Sequence, residues 1–242
     1  MIKKIIFIFT LTLILYDVSY TQVFPKFSIA GGPIIGYSRN NVDELNAELK
    51  KIGIPGLSES GFLALGGRGF IDVPFISGLR LGGMGIGFSQ ERSVESPNNI
   101  IKTVKYSYGM AGITIEYVGS ISEKLDYSIG GTLGIGTLYI DIHQHSKDLQ
   151  NWNITLIGGD SLSSRNSNSS RYSAKVYSIE PQVGIGYQLL DFLNVNLNVG
   201  YSLSEQSNWY LDDVLEVKNV PSGIKSDGLN AKLGINVGLF VK

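Results

Sequence analysis

From Leu193 to Leu203 the chain sets an apolar residue at every second position: Leu193, Val195, Leu197, Val199, Tyr201 and Leu203, separated by Asn194, Asn196, Asn198, Gly200 and Ser202. The end of the chain repeats the pattern, with Leu229, Ala231, Leu233, Ile235, Val237, Leu239 and Val241 alternating against Asn230, Lys232, Gly234, Asn236 and Gly238. On a strand, a period of two collects all these apolar side chains on one face, whereas a helix would scatter them around its axis. Six further segments read the same way: about Lys26 to Tyr37, Gly61 to Val73, Gly78 to Ser89, Thr103 to Val118, Leu125 to Ile142 and Tyr172 to Leu189. In two of them the apolar phase slips, at Gly82-Gly83 and near Gly112, where a β-bulge is the expected cause.

The connections alternate in length. Short ones are expected at Pro74 to Ser77, Gly119 to Lys124 and Leu190 to Phe192, and long ones at Ser38 to Ser60, Gln90 to Lys102, His143 to Arg171 and Ser204 to Asp227. That order predicts an all-β, antiparallel up-and-down barrel of about eight strands, with short turns at one end and long loops at the other. The first long loop carries a helix signal: Asn41 as N-cap, Glu44 three residues on, Leu45, Leu49 and Ile52 on one face, and Gly53 and Pro55 at its end. The third holds a serine-rich tract from Ser161 to Ser170, expected to be mobile.

The chain opens with Met1-Ile2-Lys3-Lys4, an apolar run from Ile5 to Leu15 and a more polar stretch to Gln22. This is the order of a secretory signal peptide, and the run is too short to span a bilayer as a helix. Residues 1–21 are therefore expected to be the signal, and 22–242 a single barrel domain. No apolar run after Gln22 is long enough for a membrane helix, so any crossing must be made by strands. Cysteine is absent, which excludes disulfides as a source of stability for this exported chain.

Alternation alone fits either a soluble barrel with its apolar face inside or a membrane barrel with that face outside. The polar face decides between them. It is rich in Gly, Ser and Asn, and its charges have both signs: Arg68, Asp72, Arg80, Glu116, Asp126, Glu180 and Lys232. Only 17% of residues are charged, fewer than a solvated sheet face carries, and charges of both signs among small residues read as an interior pairing network. Tyr117, Tyr127 and Tyr187 stand beside short turns, and Tyr37, Tyr106, Tyr139 and Tyr201 toward long loops, the layout of two aromatic girdles. With these features the sequence resembles the OmpA/OmpX-type small outer-membrane barrels and the broad family of outer-membrane β-barrel-domain proteins. The resemblance implies residence in the outer membrane, contact with its lipids, and insertion by the outer-membrane assembly machinery. Members often end on an aromatic residue, whereas this chain ends Leu239-Phe240-Val241-Lys242.

Few residues suggest chemistry. His143 and His145 share a strand face with Asp141, which is the minimum for a three-ligand metal site, but a loop-proximal polar stretch without metal explains them more simply. Small barrels also serve as lipid A deacylases and palmitoyl transferases, which need a serine beside a base. Ser146 after His145 and Ser89 before Glu91 are the nearest approaches in sequence, and neither completes such a set. The expected role is thus structural or extracellular binding through the long loops, by a ligand the sequence does not identify, with no catalysis and no cofactor. A lipid-modifying enzyme, a narrow channel and a soluble lipocalin-like barrel are the alternatives. Near-neutral charge, -1 overall, argues against nucleic acid as a partner.

Overall fold

The structure, a computed structural model, describes residues 27–96, 99–147 and 168–241. The expected signal peptide and residues 161–167 of the serine-rich tract lie outside the described residues. The elements run β1 (Phe27–Asn40), α1 (Asp43–Lys51), β2 (Phe62–Asp72), β3 (Leu79–Ser96), β4 (Ile100–Ser120), β5 (Leu125–Ser146), β6 (Asn168–Leu190), β7 (Leu193–Leu211), β8 (Leu215–Val217) and β9 (Gly228–Val241). From β1 to β7 each strand pairs antiparallel with the next, β9 pairs with both β7 and β1, and the eight long strands close a ring. The short β8 folds back on the end of β7.

Every stave of the ring turns large apolar residues outward: Ile35, Leu65, Leu81, Ile113, Leu133, Ile185, Leu197 and Leu233, one from each, are 38% to 62% exposed. The inward positions between them are polar, as with Thr114, Thr132, Ser178 and Asn198, all buried. This is the inverse of a soluble lipid-binding barrel. It is the arrangement of an integral outer-membrane β-barrel, whose outer face meets hydrocarbon.

The phase slips have a different cause from the one expected. The register between β3 and β4 is continuous from Leu79↔Tyr117 to Ser96↔Ile100, with no bulge at Gly82-Gly83 or Gly112. Leu79 and Leu81 face outward, while Met84, Ile86 and Phe88 keep strict alternation and face the lumen. The apolar residues change sides because the lumen itself becomes apolar toward the loop end. The register shifts that do occur lie between β6 and β7, at Ala174/Val176 and Gln188/Leu190.

The loops are also shorter than expected. Most of Gln90 to Lys102 is the β3–β4 hairpin, Asn168 to Arg171 belong to β6, and Ser204 to Leu211 continue β7. These stretches lack an apolar face because they project beyond the lipid, where alternation no longer marks a strand. Strands of 18 to 23 residues in β3 to β7 exceed the roughly 10 residues that cross a bilayer. β1, β2 and β9, with 14, 11 and 14 residues, stop much lower.

Helix α1 is capped differently from the sequence expectation. Asn41 Oδ1 accepts a bond from the Asp43 amide at 3.0 Å, but the residue at the cap position is Val42. Glu44 reaches the Gly223 amide at 2.8 Å instead of closing a capping box. Leu45 and Leu49 are buried as expected, but Ile52 is exposed and Ile54 takes its place in the core.

An arginine at Leu197 or Ile235 is expected to destabilise the barrel by about 2 to 4 kcal/mol, since both point into mid-bilayer. At Ser89, outward but past the apolar belt, the same change should cost under about 1 kcal/mol. Urea titration of protein folded into lipid vesicles measures the difference, and equal costs at the three sites would refute the placement of the belt.

Candidate functional site

The turn-side half of the lumen is held by charge. Arg68 Nη2 donates to Glu116 Oε2 at 3.0 Å, and Gln182 Nε2 donates to Glu116 Oε1 at 2.8 Å. Lys232 Nζ reaches Gln182 Oε1 at 3.5 Å and pairs with Glu180 Oε1. Asn230 Nδ2 donates to Glu180 Oε2 at 3.2 Å, and Ser38 Oγ to Asn230 Oδ1 at 2.6 Å. This chain of bonds crosses the lumen through β2, β4, β6, β9 and β1. Arg80 pairs with Asp72, Nε to Oδ1 at 2.7 Å, with its guanidinium 4.0 Å from the centre of the Phe70 ring. Arg68 approaches the same ring at 5.3 Å. Asp126 accepts from Ser120 Oγ at 2.8 Å. Glu116, Glu180 and Lys232 are 2% to 5% exposed, so each charge depends on its partner to offset desolvation.

The loop-side half is closed by an apolar roof. Phe62 stacks on Phe88 with ring centroids 4.6 Å apart, and Tyr106 packs against both. Leu138, Ile140, Val176 and Trp209 continue this cluster, and Leu45, Leu49, Ile54, Leu57 and Ile224 cover it from above. Asn46 fixes the segment after α1 through two bonds to the Leu57 backbone, at 2.7 and 3.1 Å. Lys102 Nζ donates to the Ile52 carbonyl at 2.8 Å and ties the same segment to β4.

The roof corrects one aromatic assignment. Tyr106 is 1% exposed inside the lumen and belongs to no girdle, because it shares the inward phase of β4 with Tyr108, Met110 and Glu116. Of the other tyrosines, Tyr37, Tyr139 and Tyr201 face outward toward the loop end, and Tyr117, Tyr127 and Tyr187 toward the turn end. Tyr177, also outward on the loop side, is 53% exposed and was not singled out by the sequence. The sequence likewise passed over Gln182 and Asn230, the neutral links of the network. Their only signal is an inward position two residues from Glu180 or Lys232.

Above the loop-side tyrosines the register stacks polar rows on the outer face. Glu91, Lys105, Asp141 and Arg171 face one another in sequence across β3, β4, β5 and β6. Arg171 Nε bonds Asp141 Oδ1 at 2.7 Å, which raises the guanidinium pKa above its ordinary value, and the group lies over Tyr139 at 5.5 Å. The next row is Ser93, Thr103, His143 and Ser169. Ser93 and Thr103 share a hydrogen bond at 2.8 Å, and Ser169 Oγ lies 2.9 Å from His143 Nδ1. Asp141 is thus engaged by Arg171 and His143 by Ser169, and among the described residues no cluster of three potential metal ligands forms. Ser89 bonds Ser107 at 3.0 Å, and Ser146 is buried on the face opposite His145.

Comparison with known proteins finds similar solved structures. Ail, the attachment invasion locus protein of Yersinia pestis, seen in complex with the heparin analogue sucrose octasulfate, is 13% identical over 89% of this chain and 97% of its own, with a TM-score of 0.38. A major outer membrane protein from Thermus thermophilus is 8% identical over 88% and 99%, with a TM-score of 0.49. CarO2 of Acinetobacter baumannii is 11% identical over 87% and 99%, with a TM-score of 0.35. No family model matches the sequence, and no curated protein matches it.

Replacing Glu180 by Ala is expected to cost about 3 to 5 kcal/mol, because it strands the Lys232 ammonium in the lumen. Adding Lys232→Met should restore most of that loss. A double-mutant cycle from urea titrations in vesicles tests the coupling, and additive costs would mean that the two groups act independently.

Proposed function

We propose that this is a non-enzymatic outer-membrane barrel whose working part is its extracellular surface: the projecting ends of β3 to β7 together with the loops and the roof. The observation that carries the reading is the continuation of paired strands far past the aromatic girdle, ending in rows of Ser, Thr, His and ionised side chains. A rigid sheet presents groups to a partner at lower entropic cost than a free loop does. Among the described residues, the β2–β3 register ends at Leu65↔Gly87 while β3 goes on pairing with β4 as far as Ser96↔Ile100, so the β2 side of Glu91 to Ser96 is a sheet edge. Exposed Glu91, Arg92 and Glu95 along that edge discourage indiscriminate pairing.

The lumen favours this reading over a channel, since an ion-paired layer and an apolar layer lie in series along it. The Ser169–His143 contact is the nearest approach to a nucleophile with its base. Among the described residues no carboxylate bonds His143, and this supports a surface role for the pair over catalysis.

Cells displaying the full barrel and cells displaying one trimmed of residues 90–103 are expected to differ in adhesion to a panel of immobilised proteins and polysaccharides, with only the full barrel binding. Equal adhesion would remove the basis for the contact role. Ser169→Ala should leave the lipid pattern of the outer membrane unchanged on thin-layer plates. A lipid change that depends on Ser169 would replace this reading with an enzymatic one.

A further inference from the structure

On the low side of the rim, where β1 ends and β9 begins, an open groove of about 380 Å³ is bounded by Arg39, Asp43, Glu59, Tyr201 and Leu229 among others. The register sets Arg39 opposite Leu229 and Leu229 opposite Tyr201, so one outward row crosses three strands as cation, aliphatic and phenol. The row beneath it, toward mid-bilayer, is Tyr37, Ala231 and Val199, with the small Ala231 between two larger side chains. Leu229 and Tyr201 are 51% and 49% exposed and continuous with the lipid belt. Asp43 and Glu59 stand above, at the start of α1 and in the segment before β2.

The charges around the groove are arranged unlike those in the lumen. Among the described residues, the ion pairs within 4.0 Å include none made by Arg39, Asp43, Glu59 or Asp227, although all four line the same groove. Asp227 is held instead through Oδ1 by the Ser204 amide and hydroxyl, each at 2.6 Å, which leaves Asp43 and Glu59 as the carboxylates free to meet an occupant. Opposite charges held apart around a concavity suit an occupant that carries both signs. An apolar floor open to the bilayer suits one that is also a lipid. A guanidinium matches a phosphate through two parallel donors, and two carboxylates match a primary ammonium with three donors of its own. The volume lies within the range of small-ligand sites.

We infer that this groove binds the headgroup of a membrane lipid carrying both a phosphate and a primary amine. The phosphate lies on Arg39, the amine faces Asp43 and Glu59, and the acyl chains descend past Ala231 along the belt. The site shares the first loop with the contact surface, through Asp43 and Glu59, but uses none of the projecting β3–β4 hairpin on which the contact role rests, so its failure would leave that role untouched.

Native mass spectrometry of the folded, detergent-solubilised protein tests it, using phosphatidylethanolamine, phosphatidylglycerol and phosphatidylcholine with identical acyl chains. Phosphatidylethanolamine should be retained about tenfold more strongly than the other two, because only it carries phosphate and a donating amine together. Arg39→Gln should lose about that factor for phosphatidylethanolamine. The double change Asp43→Asn and Glu59→Gln should bring it down to the level of phosphatidylglycerol without weakening the latter. These positions are on the rim, and unchanged tryptophan emission, to which the buried Trp209 contributes, confirms folding in each variant. Equal retention of the three lipids by the wild-type protein, or Arg39→Gln binding phosphatidylethanolamine as wild type does, would overturn the site.

Discussion

Hydrocarbon offers no hydrogen bonds, and the rest of this structure follows from that. Each backbone amide and carbonyl at membrane depth must find a partner within the protein, which for strands means a sheet with no free edge. The β1–β9 register, from Phe27↔Val241 to Asn40↔Gly228, removes the last two edges and turns a meander into a ring. Closure then fixes everything about sides. With alternate residues forced inward and outward, the outer set has to be apolar, and the inner set is free to carry the charges that lipid rejects.

The lumen solves two problems with two chemistries. Near the short turns, ion pairs and amides link facing staves. A buried charge without its partner is costly, so this layer specifies which strands face each other more than it adds net stability. Near the loops, aromatic and aliphatic side chains fill the bore and give α1 a surface to rest on. The helix is short and has little stability of its own, so its place depends on Leu45 and Leu49 finding that apolar surface.

The sequence was most readable where the lipid is. Alternation in Leu193 to Leu203 and Leu229 to Val241 is enforced by hydrocarbon on one side and a polar lumen on the other, and there strand, face and short turns could all be inferred. Two regions broke the rule for opposite reasons. In β3 and β4 the apolar roof put Phe88, Tyr106 and Tyr108 on the inner face, which imitated a slip in phase. In the projecting strands water lies outside the sheet, so Gln90 to Ser96 look like a loop although they are paired. Charges such as Arg68 and Glu116 could be assigned to the lumen from their phase, but their partners depend on register between strands distant in sequence. The rim groove was illegible for the same reason, since Arg39, Glu59 and Tyr201 come from separate segments.

The unequal strand lengths give the extracellular rim a slope, tall along β3 to β6 and low along β1, β2 and β9. A cylinder with a level rim presents the same profile from every direction in the membrane plane, whereas this one has a front and a back. Large bodies arriving from the medium touch the tall wall first. Neighbours diffusing within the bilayer reach the low wall unobstructed. Rotation about the membrane normal therefore changes what the protein can meet, and a crowded membrane that restricts rotation would sort its encounters by direction.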